Sequence, residues 1–166
     1  MKNLYIITYL MIASFTITSC STEATDNDTA TIEKVTTLNS IKSIEIEILD
    51  LINAHRVSIG LTSLIQNEQI RTQTNSHTQY MINNSSASHD NFFNRKSYLI
   101  AHANAEKVSE NVAYGYTKAE SVVSAWLRSD GHKLNIEGNH THFSISAEQD
   151  ENGRWYFTNI FVKATN

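Results

Sequence analysis

Apolar residues recur at helical spacing where the folded part of the chain begins. Ile41, Ile44, Ile48, Leu51 and Ile52 share one face, Asn39 or Ser40 can cap the helix, and Gly60 is a natural stop. Asn67 can cap a second helix, with Ile70, His77 and Met81 on one side. Thr117-Lys118-Ala119-Glu120 fits a capping box, and it opens a helix carrying Val122, Val123, Trp126 and Leu127 that Gly131 ends. The period then changes. Phe143-Ser144-Ile145-Ser146-Ala147 alternates as a strand with one face buried, Asp150-Glu151-Asn152-Gly153 is a turn signal, and Trp155 to Val162 reads as the returning strand. Val108 to Tyr114 supplies a further strand. Helices before and between antiparallel strands predict an α+β arrangement.

The opening residues have another character. Lys2 precedes a short apolar run, Leu4 to Ile17, whose length suits a signal segment better than the ~20 residues of a membrane span. The run ends Ile17-Thr18-Ser19-Cys20, which resembles a bacterial lipobox. In that reading residues 1–19 are removed and Cys20, the only cysteine, is lipidated. Residues 20–39 are rich in Ser, Thr, Asp, Asn and Glu, the composition of a flexible tether, and the domain occupies 40–166. With one cysteine there is no intramolecular disulfide, so packing alone must hold the fold. The formal charge of -4, with no basic cluster, argues against a nucleic-acid partner. Five glycines and no phosphate-loop or dinucleotide fingerprint leave no nucleotide site to propose.

A series of short motifs follows in a fixed order: Asn53-Ala54-His55-Arg56, Ser88-His89-Asp90, Ser109-Glu110-Asn111-Val112-Ala113, Trp126 through Gly131-His132 to Ile136, and Tyr156-Phe157-Thr158-Asn159-Ile160-Phe161. Together they resemble the CAP superfamily of cysteine-rich secretory, antigen 5 and pathogenesis-related proteins, in its bacterial SCP-like branch. The likeness covers roughly residues 46 to 163. It implies a three-layer α-β-α sandwich and a cavity lined by two histidines and two acidic residues. His89, Glu110 and His132 match three of those groups, while Ser129 stands where the second acidic residue is usual.

Two imidazoles and a carboxylate are a chemically reasonable set for a divalent ion such as Zn²⁺, with His89 and His132 as ligands. Local spacing does not join them, and only the resemblance does. Taken singly, each reads more readily as a surface or structurally hydrogen-bonded group than as a ligand. Arg95 and Asn135 read as structural supports, Arg95 behind the loop of His89 and Asn135 at the turn that presents His132. His55, His77 and His102 read as packing, capping or surface groups. His140 and His142 flank Thr141 as a solvated pair at a loop end, with His142 the better chelating candidate. No Gly-x-Ser-x-Gly, His-Glu-x-x-His or Ser-x-x-Lys motif occurs. The expected function is a lipid-anchored, extracytoplasmic binding module, at the outer membrane or cell surface, for a small apolar, glycan or protein ligand. The alternative is a metal-assisted hydrolase with Glu110 as base.

Overall fold

One strand is the spine of this domain. Trp155–Ala164 (β4) pairs antiparallel with His142–Gln149 (β3) on one side and with Ala105–Tyr114 (β2) on the other. A two-residue strand, Ile65–Gln66 (β1), adds to β3 in parallel, giving the order β1-β3-β4-β2. The computed structural model describes residues 42–165. The leader, Cys20 and the tether lie outside the described residues, as do Asn39 and Ser40.

Alternation along β4 sorts the core into two. Phe157 and Phe161 face Ser43–Ser58 (α1), Ala119–Arg128 (α4) and Asp130–Ile136 (α5), where they pack with Ile48, Ile52, Val122, Trp126 and Ile136. Ile160 and Val162 face the other way, onto Glu68–Asn83 (α2) and Phe92–His102 (α3), where they meet Ile70, Leu99 and Val108. The result is the three-layer α-β-α sandwich. Each fully buried aliphatic or aromatic side chain contributes about 1.5–3 kcal/mol by leaving water.

β3 departs from the expected half-buried strand. Phe143, Ile145 and Ala147 point into the first core, but Ser144 and Ser146 are also buried. Helix α2 covers them: Ser144 Oγ donates to the Asn67 carbonyl at 2.8 Å, and Thr78 on α2 donates to the hydroxyl of Thr158 on β4 at 2.8 Å. A polar stripe that reads as solvent-facing is therefore a seam between helix and sheet, bonded through Ser144, Thr78 and Thr158, while Ser146 Oγ is buried without a partner among the described residues.

Several ends fall where chemistry places them. Asn67 Oδ1 accepts from the Ile70 amide at 3.1 Å and caps α2, and Gly60 sits at a φ of +81° just past α1. The start of α4 is corrected: its N-cap is Lys118, which makes no side-chain cap bond, so Thr117 lies one residue too early for a capping box. Gly131 does not end that helix. The break comes at Ser129, in extended backbone, and Gly131 lies inside α5. Helix α3 is absent from the hydrophobic pattern because its buried positions are an arginine, Arg95, and a single leucine, Leu99.

The Asn53–Arg56 motif is a brace. Asn53 exchanges two hydrogen bonds with the backbone of Leu64, at 2.8 and 3.1 Å, and aims the chain into β1. Arg56, buried, donates to the carbonyls of Thr62, Ile136 and Gly138, holding the end of α5 against α1. Gly138 must be glycine for a steric reason: a Cβ there would lie 2.5 Å from His140 Nε2.

The His140/His142 pair is also corrected. His140 is 2% exposed rather than solvated, with Nε2 3.2 Å from Ser109 Oγ and Nδ1 without a partner among the described residues. Burial, then the charges of Lys107, Arg56 and Lys163, pushes its pKa from 6.5 to about 4. Because the unfolded chain takes up this proton first, the stability that neutral His140 contributes is complete above about pH 6.5 and is lost as pH falls toward 4. The loss should be on the order of 3 kcal/mol. Thermal melts from pH 7 to 4 should show this slope, and it should be shallower in His140→Gln. Parallel slopes in the two proteins would rule out His140 as the cause.

Candidate functional site

Glu110 lies on β2, an outer strand of the sheet, on the face toward α2 and α3. Its side chain is 1% exposed. Arg95, carried by α3, meets it with two bonds: Nε donates to Oε2 and Nη2 to Oε1, both at 2.8 Å. Such a fork is the strongest geometry available to this pair. The third donor of Arg95, Nη1, reaches the Asp90 carbonyl at 2.7 Å. Arg95 thereby fixes the loop carrying His89, as expected, though from a helix and with the carboxylate as its main partner. Burial alone would push the Glu110 carboxyl up; the bonds from His89 and Arg95 and the guanidinium charge outweigh it and hold the group below its usual range.

His89 follows α2 and is brought to Glu110, with Nδ1 donating to Oε1 at 2.8 Å. In the neutral ring this leaves Nε2 with a free lone pair, on a side chain that is 53% exposed. His77, read from sequence as a packing or capping group, lies beneath the same carboxylate, its Nε2 3.9 Å from Oε1 and 2.7 Å from the Ser88 carbonyl. Its membership could have been seen from its place on the buried face of α2, but an imidazole among apolar neighbours reads as packing until its partner is known.

His132 arrives from the opposite side, on α5. Side-chain amides make the connection. Asn135 Nδ2 donates to the Glu110 carbonyl at 3.1 Å and to Asn111 Oδ1 at 2.9 Å, and Asn111 Nδ2 donates to the His132 carbonyl at 3.0 Å. The Val112 carbonyl, two residues along the same strand, accepts from Trp126 Nε1 at 3.2 Å. The imidazole itself bonds Ser129, with Nδ1 2.9 Å from Oγ. The residue that replaces the usual acid is thus the partner of the histidine. Burial, then the nearby charge of His89, lowers the pKa of His132.

The three expected residues gather around β2 but border two hollows. His89 and Glu110 line one of about 300 Å³ with Phe92, Val108 and Asn135. His132 and Ser129 line the next, of about 360 Å³, with Val112, Tyr114, Tyr116 and Trp126. Among the described residues no group of three His, Cys, Asp or Glu side chains is arranged to hold a metal ion.

The Arg95–Glu110 pair should dominate local stability. Arg95→Met leaves a buried carboxylate without its counter-charge and should cost about 3–5 kcal/mol. Adding Glu110→Gln should recover part of that loss in urea unfolding. An Arg95→Met protein as stable as wild type would show that the pair carries no such weight.

Comparison with known proteins places these features. The model of the cysteine-rich secretory protein family, CAP, matches residues 49–162. The chain is 31% identical over 123 residues to the uncharacterized membrane protein YlbC of Bacillus subtilis, covering 72% of this chain and 34% of that one. It is 32% identical over 127 residues to the uncharacterized protein YkwD of the same organism, covering 70% and 48%. It therefore spans between a third and a half of the length of these relatives. Among solved structures, an outer surface protein of Borrelia burgdorferi superposes with a TM-score of 0.64 at 18% identity, over 71% of this chain and 90% of that one. An extracellular SCP-domain protein of Bacillus anthracis gives 0.62 at 22% identity, over 72% and 40%. These likenesses show the fold.

Proposed function

The chain belongs to the cysteine-rich secretory protein (CAP) family, and we propose that it is an extracytoplasmic binding module, held at the cell envelope by lipid on Cys20, that takes a small, largely apolar ligand beside His132. The observation that carries this reading is the engagement of Glu110. Arg95 and His89 fill most of its acceptor capacity and keep it ionised in a buried place. A carboxylate so held is a structural anchor. It is poorly suited to take a proton from water, which a general base must reach directly.

The hollow beside His132 has the character of a recognition site. Tyr114, Tyr116, Trp126, Val112 and Ala113 give it an apolar, aromatic lining, and Ser129 with His132 supplies one polar point. The ligand class that fits is an apolar molecule with one hydrogen-bonding group. A metal-assisted hydrolase finds less support. His89 and His132 would be the ligands of a Zn²⁺ ion, but with Glu110 committed to Arg95 they are fewer than the three protein ligands of a catalytic zinc site. The donor set present does not fit that ion well.

Anchoring by Cys20 rests on the Ile17-Thr18-Ser19-Cys20 motif after a short apolar run. Cys20→Ser should move the protein to the soluble fraction or block its processing, since the several chains of a bacterial lipoprotein hold far more firmly than one. Fractionation and maturation identical to wild type would refute the lipid anchor.

The soluble Cys20→Ser chain also permits a ligand test. Anilinonaphthalene sulfonate, an apolar fluorophore with one anionic group, should bind and brighten. Tyr116→Ser and His132→Ala should each weaken it by about tenfold, equivalent to ~1.4 kcal/mol. Equal binding by all three proteins would remove this hollow as the ligand site.

A further inference from the structure

Behind the Arg95–Glu110 pair lies a third hollow that the reading above does not use. It opens between α2 and α3 and measures about 290 Å³. Its floor is formed by two buried groups, His77 and Arg95. The Ser88 carbonyl, 2.7 Å from His77 Nε2, can only accept, so Nε2 carries the proton and Nδ1 of the neutral ring is left as an acceptor. That nitrogen bonds no other described residue. Burial, only partly offset by Glu110, favours this neutral form. Three of the guanidinium N–H groups of Arg95 are engaged, with Glu110 and the Asp90 carbonyl, and its others bond no described residue. Glu110 also balances its charge. The floor therefore offers an acceptor beside donors, with no net charge.

The walls are two tyrosines, each backed by an imidazole. Tyr80 stacks on His77 with centroids 5.8 Å apart and an angle of 14°, and its hydroxyl is held by Asp90 at 3.1 Å. Tyr98 lies 4.4 Å from His102. The rim carries the amides of Asn91 and Asn94. Asn91 is held in the left-handed region, at a φ of 58°, and its side chain does not cap α3, the use that its position at the helix start would suggest. Among the described residues the amide has no partner.

We propose that this hollow is a binding subsite for a neutral saccharide, with Tyr80 and Tyr98 as its aromatic walls and Asn91, Asn94, His77 and Arg95 as its hydrogen-bonding partners. A hydroxyl both donates and accepts, which matches the paired floor groups and the amides, whereas an anion would meet the His77 lone pair and a cation would meet Arg95. The C–H faces of a pyranose ring lie favourably against the electron-rich faces of tyrosine rings. The subsite stands apart from the hollow of His132, on the far side of the ion pair, and does not depend on what that hollow binds.

The test uses the full-length protein in a zwitterionic detergent that contains no sugar. Saturation-transfer NMR is recorded with chitotriose, maltotriose and cellotriose in turn, up to about 10 mM, beyond the weak millimolar end of the affinity scale. At least one should receive saturation. Tyr98→Ala and Asn94→Ala, both at exposed positions, should each weaken it by about tenfold, and His132→Ala should leave it unchanged. Binding by none of the three sugars overturns the proposal. So does binding that survives both substitutions, or that is lost only in His132→Ala, which would put the sugar in the other hollow.

Discussion

A buried carboxylate with a guanidinium forked onto it is the constraint on which the rest of this site rests. An ionised Glu110 could not persist at 1% exposure without compensation. Arg95 supplies that compensation, and in doing so it fixes much else. It locks α3 against β2. It clasps the loop of His89 through the Asp90 carbonyl. It also determines what Glu110 can do, because a carboxylate that neutralises a buried cation has little capacity left for a substrate proton or a metal ion. The same pair separates two hollows of different character, one bordered by His89 and one by His77.

The layers of the fold were readable from residue order and periodicity. Ile48 and Ile52 on α1, and the alternation from Trp155 to Val162, state their buried faces directly. The boundaries that failed share a cause. Thr117 and Gly131 are helix signals by composition, but Lys118 and Ser129 occupy the terminal positions, since packing of Val122 and Trp126 sets where the helix sits and the caps follow. Helix α3 was hidden because its inward residues are a single leucine, Leu99, and Arg95, which no hydrophobic pattern counts. The buried serines of β3 were hidden for the complementary reason: Ser144 and Ser146 look solvated until α2 is placed over them.

The site was readable only as a list. His89, Glu110 and His132 lie too far apart in the chain for spacing to join them, and the resemblance to the CAP family gathered them. What the list lacked was the supporting chemistry. By sequence His77 is a packing residue, Asn135 a local brace, and Ser129 a loss. In the folded chain His77 lies under the carboxylate, Asn135 links Glu110 to Asn111, and Ser129 holds the imidazole that an acid would otherwise face. Each role depends on a partner distant in sequence.

The amides and indole that tie α4 and α5 to β2 have a consequence beyond the site. β2 is an outer strand of the sheet, and the exposed rim of such a strand is where a second chain can add itself by backbone pairing. The Glu110 and Val112 carbonyls, which would receive that chain, are already occupied by Asn135 and Trp126. At the other margin the sheet ends in a strand of only two residues, β1, too short to template much. A domain without disulfides is thus guarded against sheet-to-sheet aggregation by the same side chains that assemble its pocket.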